Sequence, residues 1–140
     1  APGIIDDEDL VRVIERECRT MTTSVESTSL AGSPSEQLGA IRKQNRAVSR
    51  MVAMIEQGHG QAISKDRPTR LWLDDWRTIV DARNTFVQEL VDDSGATFDV
   101  PLDPEGVPID VRMQKVWLGD SSCSVPSALL NPYPGVPVGA

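Results

Sequence analysis

The sequence predicts a mainly α-helical fold: a three-helix bundle, then a short β-hairpin and an extended proline-rich arm stapled by a disulfide. Apolar residues recur at three- and four-residue steps over three long segments, whereas they alternate between residues 96 and 111. Four prolines then follow between Pro126 and Pro137. A chain of 140 residues, 39% hydrophobic and 25% charged, suits one domain. We expect that domain over residues 1–125 and a tail over 126–140.

The first helix is predicted from about Asp6 to Val25. Its first turn is acidic, which complements the positive end of the helix dipole. Cys18 lies on the apolar face and should therefore point inward. That face comprises Leu10, Val13, Ile14, Cys18, Met21 and Val25.

The second helix begins with a capping box, in which Ser33 precedes Pro34 and Glu36. It should run to about Gln57 and stop at Gly58. Asn45 interrupts the apolar face, and we expect it to fix helix register rather than to bind a ligand. The apolar positions are Leu38, Ile41, Val48, Val52 and Ile55, and the opposite, solvated face carries Arg42, Lys43, Arg46 and Arg50.

The third helix is predicted from about Pro68 to Val91. Two of the three tryptophans lie on it one turn apart, and we favour core packing over a pocket lining for them. The main apolar stripe comprises Trp72, Trp76, Ile79, Phe86 and Leu90, widened by Leu73, Val80 and Val87.

The last third of the chain has a different pattern. Residues 96–100 and 107–111 alternate around a turn at 103–106, which indicates a hairpin confined to a sheet edge by Pro101 and Pro108. A helical turn is expected over 112–117. Cys123 follows in a serine-rich loop, and from Pro126 onward the tail should be extended on the surface.

No catalytic, cofactor-binding or metal site is expected. His59, the only histidine, lies between two glycines and lacks the packed setting of a general base. Asp74 and Asp75 face different sides of a helix, and residues 92–95 lack the ligand pattern of a calcium loop. A zinc site would need His59 together with two cysteines that are distant in the sequence, and we do not expect one. The net charge of −7 argues against nucleic-acid binding.

Several segments together resemble a group of uncharacterised actinobacterial proteins, over nearly the whole chain from the first helix onward. Members of that group have a short cytoplasmic or signal region, one membrane anchor and an extracytoplasmic helical domain. The resemblance implies that compartment and a disulfide, but no activity. It rests on residues 18–22, 41–48, 51–52, 72–77, Arg83, 106–109, 112–113 and 123–126.

Cys18 and Cys123 are the only cysteines, and we predict that they form an intramolecular disulfide. The reasons are their isolation, the inward phase of Cys18 and the resemblance. Such a bridge persists only in an oxidising compartment. It would close a loop of about 100 residues and contribute about 4–5 kcal/mol by restricting the unfolded chain.

The leading functional hypothesis is a non-catalytic extracytoplasmic domain of the cell envelope, with a binding, sensory or scaffolding role. It could be membrane-attached through an anchor outside this chain, and its ligand or protein partner is left open. The alternative is a phage virion structural protein, such as a head-to-tail adaptor, for which the proline-rich arm would suit docking onto a neighbouring subunit.

One polar cluster is a candidate site, at the junction of the third helix with the C-terminal segment. Asp75 and Arg83 are charged residues within an otherwise apolar pattern, and buried charges need partners. We favour a structural role, in which both pair with neighbouring elements and hold the tail down. Trp72 and Trp117 complete the cluster.

Overall fold

A computed structural model describes residues 3–118 and 122–134 of the chain. The described residues are mainly helical, as predicted. The three long helices pack together, with α2 against both α1 and α4. The helices are α1 (Glu8–Glu26), α2 (Pro34–Glu56), α3 (Gly60–Ser64), α4 (Arg67–Asp92), α5 (Ile109–Gln114) and α6 (Ser127–Leu130).

Helix α1 begins where a side chain satisfies its free amides. The carboxylate of Asp7 accepts hydrogen bonds from the backbone N–H groups of Asp9 and Leu10, at 3.0 and 3.1 Å. Asp7 is therefore the N-cap, and the helix begins two residues after the predicted Asp6. The six residues predicted for its apolar face are all buried, including Cys18.

Helix α2 has the predicted capping box. The Ser33 hydroxyl accepts from the backbone N–H of Glu36, and the Glu36 carboxylate accepts from the backbone N–H of Ser33. The helix ends at Glu56, and Gly58 follows with a φ of 80°, a conformation that glycine adopts without strain. The buried face is wider than predicted, because Gln44 and Met51 also lie within it.

Helices α2 and α4 run antiparallel. Arg77, early in α4, forms an ion pair with Glu56 at the end of α2, whereas Asn84, later in α4, accepts a hydrogen bond from Asn45 in the middle of α2. Along α4 the predicted apolar stripe is buried except for Leu90, which is half-buried. Its fully or almost fully buried members include Trp72, Leu73, Trp76, Ile79 and Phe86.

The predicted β-hairpin is wrong: residues 3–118 and 122–134 contain no strand. The predicted turn exists, because the Gly106 N–H donates to the Asp103 carbonyl at 2.9 Å. Pairing beyond it is limited to one antiparallel bridge between Leu102 and Pro108. Prolines at 101, 104 and 108 supply no backbone N–H for a ladder, and the chain enters α5 at Ile109 instead of a second strand.

The prediction of an extended surface tail is wrong for residues 126–134. Residues Ser127–Leu130 form α6, Leu129 is fully buried, and Pro132 is also buried. The Tyr133 ring lies edge-to-face on Phe86, with ring centroids 5.8 Å apart. Buried apolar side chains therefore outweigh the proline content of this segment. The prediction for residues 135–140 falls outside the described part of the chain.

Candidate functional site

Asp75 and Arg112 form an ion pair that joins α4 to α5. The Arg112 guanidinium donates from Nε to Oδ2 and from Nη2 to Oδ1, at 3.1 and 2.5 Å. The Asp75 side chain is 5% exposed and that of Arg112 is 29% exposed. This two-point contact fixes the short helix α5 against the long helix α4.

In this ion pair, burial mainly disfavours the charged form of the Asp75 carboxylate. Burial raises the pKa of Asp75, and the contact with Arg112 offsets only part of that rise. The pKa of Arg112 is raised because the Asp75 side chain accepts its hydrogen bonds, and the burial of Arg112 offsets only part of that rise. The pair therefore orients α5 at the expense of a partly desolvated acid, which is typical of a structural contact.

Arg83 lies at the centre of a second polar contact region, which we call the polar junction: Gln44, Asn45 and Arg83, with the backbone carbonyls of Val25, Ala128 and Leu129. The Arg83 side chain is fully buried. It donates to Asn45 Oδ1 at 2.7 Å, Gln44 Oε1 at 2.6 Å and the Leu129 carbonyl at 2.7 Å. A longer contact of 3.3 Å reaches the Ala128 carbonyl.

The polar junction connects four helices. Gln44 uses its amide group to donate to the carbonyl of Val25 at the end of α1, while its oxygen accepts from Arg83 of α4. Asn45 likewise accepts from Arg83 and donates to Asn84. Because Arg83 also holds the carbonyls of α6, a single guanidinium links α2, α4 and the C-terminal segment.

Only neutral oxygens accept hydrogen bonds from Arg83 within the described chain. Burial lowers the pKa of Arg83 to about 10, so the guanidinium remains protonated at neutral pH. The donors of its planar fork are matched by amide and carbonyl oxygens, which are partial negative charges in fixed positions. This arrangement satisfies the cation and leaves it enclosed rather than open to a substrate.

The structure does not bring the four predicted cluster residues into one open site. Trp72 and Trp117 are in contact edge-to-face, with ring centroids 5.4 Å apart. Asp75 contacts Arg112, and Arg83 has the separate set of partners given above. All four side chains are buried. They form core contacts between α4 and the C-terminal third of the chain.

Three buried indole N–H groups have no hydrogen-bond acceptor within the part of the chain that the structure describes. They belong to Trp72, Trp76 and Trp117. Trp72 also contacts Trp76 edge-to-face, with centroids 5.8 Å apart. Burying an unpaired donor costs about 1–3 kcal/mol, so this cluster is held together by apolar area and ring contacts rather than by hydrogen bonds.

The predicted disulfide is present. Cys18 in α1 and Cys123 in the C-terminal segment are bonded across 105 residues, and both are buried. Beside them Ser122 donates to the carboxylate of Glu15 at 3.1 Å. The disulfide therefore holds the beginning of the C-terminal segment (residues 122–134) on α1. The polar junction holds the middle of the same segment, at α6.

A groove lies between α2 and α4 on the outer side of the molecule. It encloses about 310 Å³. Its apolar wall comes from Val52, Ala53, Trp76 and Val80, and the polar residues at its edges are Ser49, Glu56, Arg77 and Asp81. Arg77 bonds both Glu56 and Asp74, which sets one end of the groove.

Sequence reasoning missed Arg112, Gln44 and the groove. The alternation over 107–111 favoured a strand, and the helical turn expected over 112–117 gave no sign that Arg112 faces Asp75. Gln44 is adjacent to Asn45, and two neighbouring amides beside an apolar face were a signal for a buried polar contact. The groove has no sequence signal of its own, because it arises from the packing of two helices.

Residues 3–118 and 122–134 contain no group of three or more histidine, cysteine, aspartate or glutamate side chains that could hold a metal ion. Comparison with known proteins gives no match to a protein family, to a curated protein or to a solved structure. The contacts of these residues are therefore the basis for a proposal about function.

Proposed function

We propose that this chain is a non-catalytic, disulfide-stabilised helical domain of an actinobacterial cell envelope, facing the extracytoplasmic side and acting as a binding or scaffolding module. The observation that carries the proposal is the buried bond between Cys18 and Cys123. Disulfides of this kind persist in oxidising compartments and are rare in the cytosol.

A structural use of the buried charges supports a non-catalytic role. Asp75 and Arg83 are the charged members of the candidate polar cluster, and each is enclosed by partners within the fold. A catalytic acid or base must reach a substrate proton at hydrogen-bond distance. The partners of these two side chains instead connect α4 to α5, α2 and α6.

Membrane attachment belongs to the same proposal and rests on the sequence resemblance alone. Within the described residues, none of the helices has the length and apolar character needed to cross a bilayer.

The virion alternative was based on a compact helical bundle together with an extended proline-rich arm that would reach a neighbouring subunit. Over residues 126–134 this segment is folded against α4 instead, through Leu129 and Tyr133. We therefore develop the envelope hypothesis alone.

Thiol trapping in living cells tests the proposal. The full open reading frame is expressed in an actinobacterial host, the cells are quenched in trichloroacetic acid, and the thiols of the denatured protein are then labelled with maleimide–polyethylene glycol. We expect no mass shift unless a reductant is added first, and we expect externally added protease to digest the domain in intact cells. The paired variant with Cys18→Ser and Cys123→Ser is the control for labelling.

Two maleimide adducts without reductant, together with resistance to external protease in intact cells but not in lysed cells, would place the domain in the cytosol. That result would end the proposal, since the disulfide would then not exist in the cell.

A further inference from the structure

Four cations form a strip along the outer face of α2, which we call the basic strip: Arg42, Lys43, Arg46 and Arg50. All four residues are exposed. Within residues 3–118 and 122–134 none of them has an ion pair, whereas Arg12, Arg16, Arg77 and Arg112 each contact a carboxylate. The basic strip is thus a concentration of charge that the fold itself does not neutralise.

Along α2 the basic strip is free of acids, whereas Glu56 and Asp81 lie at the edges of the neighbouring groove. No aspartate or glutamate occurs between residues 37 and 55. The other exposed positions between residues 37 and 55 are small, namely Gly39, Ser49 and Ala53, and an added Cβ at Gly39 would meet nothing within 4 Å. At 1.5 Å rise per residue the strip is about 12 Å long, so one helix or one extended segment could cover it.

The groove between α2 and α4 borders the basic strip. Ser49 and Ala53 line the groove and are each three residues, about one helical turn, after Arg46 and Arg50. Beyond them the groove is underlain by the buried apolar side chains of Val52, Trp76 and Val80. A cationic strip and an apolar groove therefore lie side by side on one face of the molecule.

We propose that this face is the docking site for an acidic amphipathic segment of a partner protein. Carboxylates of the segment would pair with the basic strip, and one apolar side chain would enter the groove of about 310 Å³. Helix-in-groove recognition combines anchors of this kind on one face of the bound segment. The inference names the partner class for the proposed binding role and rests on that role.

Charge distribution favours a short acidic segment over an extended polyanion. Without the four positive charges of the strip, the net charge of −7 becomes −11. A segment matched to the strip lies within the Debye length of about 8–10 Å of the four cations. A bilayer or a nucleic-acid duplex would also face the acidic remainder. In the described chain, the large apolar residues that are exposed all lie outside α2. They are Ile4, Val91, Leu102, Val111 and Leu118.

Binding of a designed peptide tests the inference. The probe is a fluorescent helical peptide of about 18 residues, with glutamates along one face and leucines one turn apart beside them. We expect binding at about 0.02 M salt that weakens toward 0.15 M. The triple variant Arg42→Gln, Arg46→Gln and Arg50→Gln should bind about tenfold more weakly. Its fold should be unchanged, because these side chains are exposed and unpaired.

A matched control removes the same number of charges elsewhere. The variant with Arg19→Gln, Lys65→Gln and Lys115→Gln alters three exposed cations outside the strip, and its affinity should change less than about twofold. A version of the peptide with serines in place of the leucines should bind the unchanged protein more weakly. Ala53→Phe should fill the groove, so that the leucine and serine peptides bind this variant with equal affinity. Ala53 is exposed, so this change does not disturb the core.

Three results would overturn the inference. The first is that the triple variant of the strip binds the peptide as tightly as the unchanged protein does. The second is that a peptide with glutamines in place of the glutamates binds as tightly as the original peptide. The third is that vesicles with 30% phosphatidylglycerol bind the protein more tightly than the peptide does at equal salt. The last result would assign the strip to a membrane. Thiol trapping in cells reports the compartment without using the strip, so failure of the proposed function is recognised separately.

Discussion

Arg83 is fully buried and has no carboxylate partner among the residues that the structure describes. Arg83 is stabilised by two side-chain amides and by the carbonyls of α6. Removing it would leave those oxygens buried and unpaired, which is more costly than the loss of the hydrogen bonds themselves. The residue therefore acts as the connection between three helices.

We predict that Arg83→Met lowers the free energy of unfolding by about 2–5 kcal/mol, because Gln44, Asn45 and Leu129 lose their donor in a buried site. Urea unfolding at pH 7 measures the change. Arg42→Met is the matched control, since Arg42 is exposed and unpaired, and it should change stability by less than about 0.5 kcal/mol. Equal stability of the two variants would show that the polar junction contributes nothing.

Asp75 gives a prediction about pH. Its pKa is raised by burial beyond what Arg112 restores, so ionisation is less favourable in the folded state than in the unfolded chain. The stability that Asp75 contributes is therefore full below its unfolded pKa of about 3.9. It is lost as the pH rises through the raised folded pKa.

We predict that the stability of the unchanged protein, relative to Asp75→Asn, falls as the pH increases from about 3 through the raised pKa of Asp75. Urea unfolding at a series of pH values gives this difference directly. Asp74→Asn changes the exposed neighbour and serves as the reference for general charge effects. A relative stability that instead rises with pH would mean that Arg112 outweighs burial.

At the scale of helices, packing against apolar faces decides the structure. Trp76 is fully buried on the face of α4 that packs against α2. Its ring also contacts the ring of Trp72, one turn earlier in the same helix. We predict that Trp76→Ala lowers the free energy of unfolding by about 3–5 kcal/mol, as large-to-small changes in a core do. A loss below about 1 kcal/mol would show that this face of α4 does not pack in the core.

Phe86→Leu at the other end of α4 provides the comparison for this prediction. Phe86 belongs to a separate apolar cluster with Ile41, Val87 and Phe98. Leucine keeps most of the buried area there, so the cost should be clearly smaller than that of Trp76→Ala. The pair of variants separates the effect of a lost indole from a general sensitivity of α4.

The long helices could be predicted from the sequence because two independent signals agree for each. Periodicity identified the buried faces, and the side chains of Ser33, Pro34 and Glu36 marked where α2 begins. The last third could not be predicted in the same way, because alternation over 107–111 is compatible with a strand or with a helix that buries only Ile109 and Met113. Tertiary contacts made that choice.

For the candidate site, the sequence indicated which charged residues need partners, but it did not indicate which partners they contact. Asp75 and Arg83 were identified as charges that need partners, and their placement on α4 was correct. Their partners are far away in the sequence: Arg112 is 37 residues from Asp75, and Leu129 is 46 residues from Arg83. Contacts at that separation follow from how α5 and α6 pack, which no local pattern specifies.

At the scale of the whole molecule, the C-terminal segment is held at several points along its length. The disulfide fixes Cys123 on α1, Arg83 holds α6, and Gln37 donates to the carbonyl of Pro132 at 3.2 Å. Tyr133 packs on Phe86 and accepts a hydrogen bond from the backbone of Phe98. Because these contacts are separate from the disulfide, the segment should remain in place when the bond is absent.

We predict that the paired change Cys18→Ser and Cys123→Ser lowers the free energy of unfolding by about 2–5 kcal/mol, mainly because the unfolded chain is released from a long loop. The folded C-terminal segment should change little. Tyr133 is the only tyrosine, so fluorotyrosine labelling gives one ¹⁹F resonance that reports on its packing against Phe86. We expect that resonance to keep its folded position in the paired variant while urea unfolding shifts to lower concentration. A resonance at the position of the unfolded chain, in a protein whose other helices are intact, would instead mean that the disulfide alone holds the segment on the fold.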